Sequence, residues 1–243
     1  MIDNLNLIKP LLNFDDEDDF YMLYVFKRKK DQSTDKANHQ SVRTIRSYCI
    51  KSVEQLEERY DEIKMLCEVF KARAYMHIQK QSHKDVSLDM LMMLAERIKC
   101  GQHQQQGLFD SVVGQMKTHE KRWVVDIDSP LLEVADVIWD FIDTLRPVGD
   151  KVEAVIPTKN GFHLITKRFD VQEFKKQYPD IDIQKKNPTL LYYPSSLYTS
   201  WVVELDEKYK DLDSVKLDAD LTEQMNKLLL SKIGNQPSKP REW

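Results

Sequence analysis

Three short stretches in the second half of this 243-residue chain carry residue types that do phosphate chemistry. The first is Trp123-Val124-Val125-Asp126-Ile127-Asp128, an apolar run that ends in two acids two positions apart. Alternate residues of a strand share a face, so both carboxylates would project together. Close carboxylates repel each other, and a divalent cation relieves that repulsion. Hard oxygen donors suit Mg²⁺ or Mn²⁺. The second stretch is Thr158-Lys159-Asn160-Gly161-Phe162-His163, a turn that runs into a strand bearing a histidine. Backbone N–H groups of such a turn can cradle a phosphate. The third is Ile181-Asp182-Ile183 followed by Lys185-Lys186-Asn187, an acid set between β-branched residues. Each stretch also has a plain structural reading: solvated acids at a strand end, a satisfied strand histidine, or an edge strand with one face in water.

The flanking pattern predicts the elements that would hold these residues. Val152 to Pro157 and Phe162 to Thr166 read as two strands around the Thr158–Gly161 turn. Leu131 to Leu145 reads as a helix with Pro130 in its first turn, and Val171 to Gln177 as a shorter one. Ile181–Ile183 and Thr189–Tyr193 read as short strands, and Trp201 to Leu205 as another. Upstream, Phe20 to Phe26 and Val42 to Ile50 predict strands joined by an exposed polar loop. Ser52 with Gln55 forms a capping box for a helix whose apolar stripe includes Leu56, Tyr60, Ile63, Cys67 and Phe70. Ala72 to Gln79 predicts a third strand, so a βαβ-like or ferredoxin-like unit opens the chain. Asp85 to Cys100 predicts an amphipathic helix through Leu88, Leu91, Met92, Leu94, Ala95 and Ile98, with its methionines as core filler. Leu108 to His119 predicts another helix. The acidic run Asp15 to Asp19 reads as a solvated loop.

Together, Val124-Val125-Asp126-Ile127-Asp128, Gly161-Phe162-His163 and Ile181-Asp182 resemble the three motifs of the archaeo-eukaryotic primase (primase-polymerase) superfamily. Those motifs are an apolar strand ending in Asp-x-Asp, a small residue-x-His strand, and a final acid after an apolar residue. The resemblance spans about residues 120 to 195, and Asn160 to Asp170 is closest to phage and plasmid members. The fold it implies is α+β: an RRM-like mixed sheet flanked by helices, with an N-terminal βαβ-like subdomain. The expected division is 1–119 for that subdomain, 120–205 for the catalytic RRM-like unit and 206–243 for a C-terminal helix and tail.

The implied chemistry is template-dependent, two-metal nucleotidyl transfer, with Mg²⁺ or Mn²⁺ held by Asp126, Asp128 and Asp182. His163 would meet a phosphate of the incoming nucleoside triphosphate. Thr158, Lys159, Gly161, Lys167 and Arg168 would line the same nucleotide. Lys185 and Lys186 would contact phosphates of a single-stranded template or primer, and Tyr192, Tyr193, Tyr198 and Trp201 would stack on bases. A replicative helicase is an expected partner. The chain departs from the family pattern at Gly161, where many members carry serine, and it has no cysteine-rich zinc element.

Composition bounds the alternatives. The chain has 36 basic and 40 acidic residues, a net charge of −4, which excludes a globally basic nucleic-acid coat. Residues 151–193 nevertheless hold eight basic and five acidic groups, a local balance of +3. No apolar run approaches a membrane span, and the N-terminus lacks a signal-peptide pattern, so a cytoplasmic protein of a bacterial host or virus is the expectation. Three separated cysteines argue against a disulfide framework, and the Cys100/His103 pair has no second pair to complete a zinc shell. Two rival classes come first. One is a metal-dependent phosphoesterase using the same acids with water as nucleophile. The other is a catalytically silent nucleic-acid-binding or replication-accessory module on a primase-like fold. The acidic runs at 15–19 and 204–223 leave a structural interaction protein as a third class.

Overall fold

The computed structural model describes residues 1–28, 42–103, 105, 107–115, 121–195 and 197. Of the predicted polar loop at 27–39, Lys27 and Arg28 belong to the strand before it, and 29–39 lie outside the described residues, as do the strand at 201–205, the C-terminal helix and tail, and Tyr198 and Trp201.

The chain opens with β1 (Ile2–Asp3), the single-turn helix α1 (Leu5–Ile8) and a 3-10 turn. Then come β2 (Asp19–Arg28), β3 (Val42–Ile50), α2 (Val53–Phe70), β4 (Arg73–Met76), β5 (Gln81–Ser82), α3 (His83–Lys99) and α4 (Leu108–Gln115). The second half holds β6 (Trp123–Ile127), α5 (Leu132–Thr144), β7 (Val152–Pro157), β8 (Phe162–Thr166), α6 (Val171–Gln177), β9 (Asp182–Gln184) and β10 (Thr189–Tyr193). The predicted cap of α2 forms: Ser52 Oγ accepts from the Gln55 N–H at 3.1 Å, and Gln55 Oε1 accepts from the Lys51 N–H at 2.7 Å. The first bond satisfies one orphan N–H of the first turn, and the second ties the residue before the cap to the helix.

The fold is mixed α+β with two sheets. The first runs β1-β10-β4-β2-β3, with β5 pairing on β2; the second runs β7-β8-β6-β9. Every pair is antiparallel, so the expected mixed sheet is replaced by antiparallel ones. The reason lies in the connections. β3 and β4 run parallel through the α2 crossover, but β2 lies between them. In the second sheet, α5 joins β6 to β7 with β8 between, and α6 joins β8 to β9 with β6 between. Parallel strands therefore never become neighbours. β10 leaves the second sheet and inserts between β1 and β4 of the first, so residues 120–205 span both sheets.

The two sheets share one core. Val124, Ala154, Ile156 and Ile165 of the second sheet pack in one cluster with residues such as Leu23 and Ala74 of the first. The opposite face of β6, with Trp123, Val125 and Ile127, packs under α5 and α6. Buried Asn4 pins the junction: its Nδ2 donates to Pro157 O at the end of β7 and to Leu190 O in β10, both at 2.9 Å.

Two local expectations change. Asp19 of the acidic run is buried; its carboxylate accepts from the N–H groups of Asp15 and Asp16 and pairs with Lys80 at 3.0 Å, so it organises the loop that the other acids solvate. On α3, the stripe of Leu88, Leu91, Met92 and Ile98 faces outward, while Val86, Met90, Met93 and Leu94 turn to Phe20, Met22 and α4. Both stripes are apolar, so helical periodicity alone does not distinguish the buried one.

His77, just after β4, contributes a pH dependence. Its backbone N–H donates to Met22 O at 2.8 Å, its ring meets Tyr24 edge-on, and burial pushes its pKa from 6.5 down to about 4. The unfolded chain therefore takes up this proton first. The contribution of His77 to stability should be intact above pH 6.5 and fall as pH drops from there toward 4. Urea unfolding across that range should show a flatter pH slope for His77→Gln; equal slopes would remove His77 as the cause.

Candidate active site

The antiparallel register sets three candidate side chains beside one another. Asp126 of β6 is the direct partner of His163 on β8 and of Asp182 on β9. Directly opposed residues project from the same face of a sheet. That face carries Val124 and Ile165 into the shared core and so turns toward the first sheet. Asp126 is half-buried, His163 is buried and Asp182 is exposed.

Their contacts form a continuous chain. His163 Nε2 lies 3.5 Å from Asp126 Oδ1, and His163 Nδ1 lies 2.9 Å from the hydroxyl of fully buried Thr189. Gln184 Nε2 donates to Asp126 Oδ2 at 3.3 Å and to Asp182 Oδ2 at 3.1 Å. Asn187 holds that amide by donating to Gln184 Oε1 at 3.0 Å. The His163 ring keeps the Asp126 carboxyl below the ordinary carboxylate value; Arg28 and Gln184 act in the same direction and burial opposes them. Asp126 is thus held ionised.

A cavity of about 200 Å³ opens over Asp126 and His163, while exposed Asp182, on the far side of Asp126, lies outside its lining. The second sheet supplies Asp126, Asp128, Thr158, Lys159, Asn160 and His163 to its lining, and the first supplies Arg28, Arg73, Tyr75 and Leu190. Asp128, one residue past β6, is exposed on the rim. Lys159 Nζ and the Arg73 guanidinium both lie over the Tyr193 ring, at 5.8 and 4.8 Å from its centre. Carboxylates on one wall thus meet several cations on the others, an arrangement suited to a phosphate group that carries a metal.

Gly161 is fixed by space. A Cβ there would overlap the Ile127 carbonyl oxygen and come within 2.7 Å of Ser129 N. The turn must pass that close because the chain beyond β6 crosses it, carrying Asp128 into the cavity. This accounts for glycine where a serine hydroxyl was expected. The Gly161 N–H donates to Thr158 Oγ1 at 3.2 Å, so it braces the turn itself. Gly161→Ala should cost about 2 kcal/mol in urea unfolding, as forced overpacking does; an unchanged midpoint would contradict this close approach.

No family model matches the chain, and no curated protein or solved structure matches it.

The remaining sequence-predicted residues scatter. Lys167 and Arg168 are exposed beyond the opposite end of β8, about four residues or ~13 Å from His163 at strand spacing. Lys185 Nζ lies over the Trp123 ring at 5.2 Å. Lys186 Nζ donates to Gly114 O and Gln115 O, capping the C-terminal end of α4. Tyr192 donates its hydroxyl to half-buried Glu68 at 2.9 Å, and Tyr193 is fully buried beneath the two cations.

Sequence reasoning missed Gln184, Thr189, Arg28, Arg73 and Tyr75. Gln184 had a signal, since it follows Asp182 by two on a strand and so shares its face. Nothing in the chain order links Arg28, Arg73 or Thr189 to the acids. Thr189→Val keeps the shape but strands the buried Nδ1 of His163. It should lower stability by about 1–2 kcal/mol in denaturant titration, while Thr189→Ser stays near wild type. Equal stability of both variants would show that the contact carries nothing.

The donor chemistry fits a divalent cation. Asp126 and Asp182 converge on one nitrogen of Gln184, where a hydrogen-bond donor fills the place that a cation could bridge. Oxygen donors of this kind suit Mg²⁺ or Mn²⁺. Among the described residues, no three His, Cys, Asp or Glu side chains form a ready-made ligand group. Among those residues, too, no helix is long and apolar enough to cross a membrane.

Proposed function

We propose that this protein is a primase-polymerase-like nucleotidyltransferase that extends a strand on a single-stranded template from nucleoside triphosphates. The observation that carries the reading is the row Asp182–Asp126–His163 on three adjacent strands, of which Asp126 and His163 line a cavity with Arg28, Arg73 and Lys159 on its walls. The β-α-β-β-α-β order of the second sheet, with β8 and β6 inside, supports its RRM-like character.

Asp126 and Asp182, with Asp128 at the rim, would hold Mg²⁺ or Mn²⁺. Bound there, the cation would acidify the attacking 3′-hydroxyl and neutralise phosphate charge. The chain's own groups do the rest. Arg28 and Lys159 offset the triphosphate charge from the facing walls. Thr189 holds the His163 ring by Nδ1, which leaves Nε2 directed to the carboxylate row. Asn187 and Gln184 hold Asp126 and Asp182 at a common point.

A second reading is a nucleic-acid-binding module of the same fold without catalysis. The lack of a ready-made three-residue ligand group among the described residues favours it. The deciding experiment is incorporation of labelled nucleotides on a single-stranded template with Mg²⁺ or Mn²⁺. Incorporation that depends on Asp126 supports the enzyme; strand binding without incorporation supports the module. Metal-dependent hydrolysis of phosphoesters without incorporation would point to a phosphoesterase.

A further inference from the structure

Helix α3 carries apolar residues on two faces, and among the described residues only one of them is covered. The outer face exposes Leu88 (51%), Leu91 (65%), Met92 (61%) and Ile98 (53%), with Ala95 exposed between them. Single exposed apolar residues are ordinary, but a continuous stripe along one helix marks a contact surface.

The spacing identifies the kind of contact. Positions 88, 91, 95 and 98 follow the three-four-three rhythm of a helix-pairing seam. Along one flank, Asp85, Met92 and Lys99 recur every seven residues, with the acid at the N-terminal end and the base at the C-terminal end. Asp85 and Lys99 are both exposed. An antiparallel copy of this helix, related by a two-fold axis at Met92, sets each Asp85 against Lys99 of the other copy. A parallel copy carries the two flanks on opposite sides of the seam and forms no such charge pair. The stripe is thus self-complementary in one orientation, as an isologous interface requires.

We propose that α3 pairs antiparallel with α3 of a second copy of this chain. The pairing leaves the cavity open, because α3 packs over Phe20 and Met22 while Arg28, at the other end of β2, lines the cavity. It is independent of the nucleotidyltransferase reading. One helix on one helix falls short of the ~1,600 Å² of a standard stable interface, so a concentration-dependent monomer–dimer equilibrium is expected.

Sedimentation equilibrium of the full chain, from low micromolar to several hundred micromolar, tests this. Wild type should shift from monomer to dimer. Leu91→Glu should stay monomeric throughout with an unchanged melting temperature, since Leu91 touches solvent. Asp85→Lys and Lys99→Asp should each weaken the dimer about tenfold, through two symmetric contacts turned repulsive. The double reversal should restore it. A wild type that is monomeric at every concentration overturns the proposal, whatever covers the stripe, residues 201–243 included. So does a dimer indifferent to Leu91→Glu. Failure of the double reversal to restore a dimer, with the fold intact by circular dichroism, overturns the antiparallel orientation.

Discussion

Asp126→Asn should lower template-directed nucleotide incorporation by at least ~10²-fold, the usual scale for removing one electrostatic group from a reacting centre. The substitution keeps size and hydrogen bonding but deletes the charge at the middle of the carboxylate row. It touches every partner at once: His163 at 3.5 Å, Gln184 at 3.3 Å and, through Gln184, Asp182. The effect on folding is small and opposite to that of relieving a repelling pair. The surroundings hold the Asp126 carboxyl below its ordinary value, so its charge stabilises the fold at neutral pH. That contribution is present above the unfolded value near ~3.9 and is lost as pH falls through the lower folded one. Because the group is half-solvated, the neutral-pH loss in Asp126→Asn should stay below ~1 kcal/mol. Activity collapses while the protein stays folded. Wild type that incorporates nothing with either cation, while wild type and variant bind single strands equally, would sink the polymerase reading.

Lys151→Met should destabilise the protein by about 3–5 kcal/mol, the largest stability effect expected here. Lys151 is a lysine with only 3% of its surface exposed. The three N–H donors of its ammonium group are shared among four backbone carbonyls: Asp143 at 3.0 Å, Leu145 at 3.2 Å, Pro147 at 2.8 Å and Gly149 at 2.8 Å. These oxygens belong to the C-terminal end of α5 and the loop behind it, where helix carbonyls lack partners and carry partial negative charge. Its own N–H also donates to Asp143 Oδ1 at 2.8 Å. Methionine matches the length and supplies no donor, so the buried Leu145 carbonyl is left unsatisfied and the part-buried contacts to Asp143, Pro147 and Gly149 lose their charged partner. Urea unfolding measures the loss. A cost under ~1 kcal/mol would mean that water replaces the ammonium group there at little expense.

The parts legible in the sequence were those with local signals. The Ser52–Gln55 cap, the turn at Thr158–Gly161 and the apolar strand before Asp126 each depend on residues within a few positions of one another. Each formed as read. The row of Asp126, His163 and Asp182 was legible as three motifs, but their side-by-side register follows from strand order, which no spacing encodes. Lys186 and Lys185 have contacts that the sequence did not signal. A basic pair beside an acid reads as a phosphate contact, yet one caps α4 and the other covers Trp123. Long side chains find partners that are distant in sequence, so charge counts along the chain do not locate them. The basic wall of the cavity escaped notice for the same reason: Arg28 and Arg73 arrive from the first sheet. On α3 the periodicity was right and the face wrong, because Phe20 and Met22 decide which stripe is covered.

The placement of β10 bears on how the molecule is made. β4 has β2 on one side and β10 on the other, and Met76 pairs with Thr189, 113 positions later. During synthesis, β4 therefore emerges with one edge that stays open until almost the whole described chain has followed it. An unpaired edge invites wrong partners, and contacts this far apart form slowly. The nascent chain is at its most vulnerable after β4 and before β10. Chains ending short of residue 189 should accumulate as insoluble aggregates, even though every residue of the Asp126–Asp182 row has already been made.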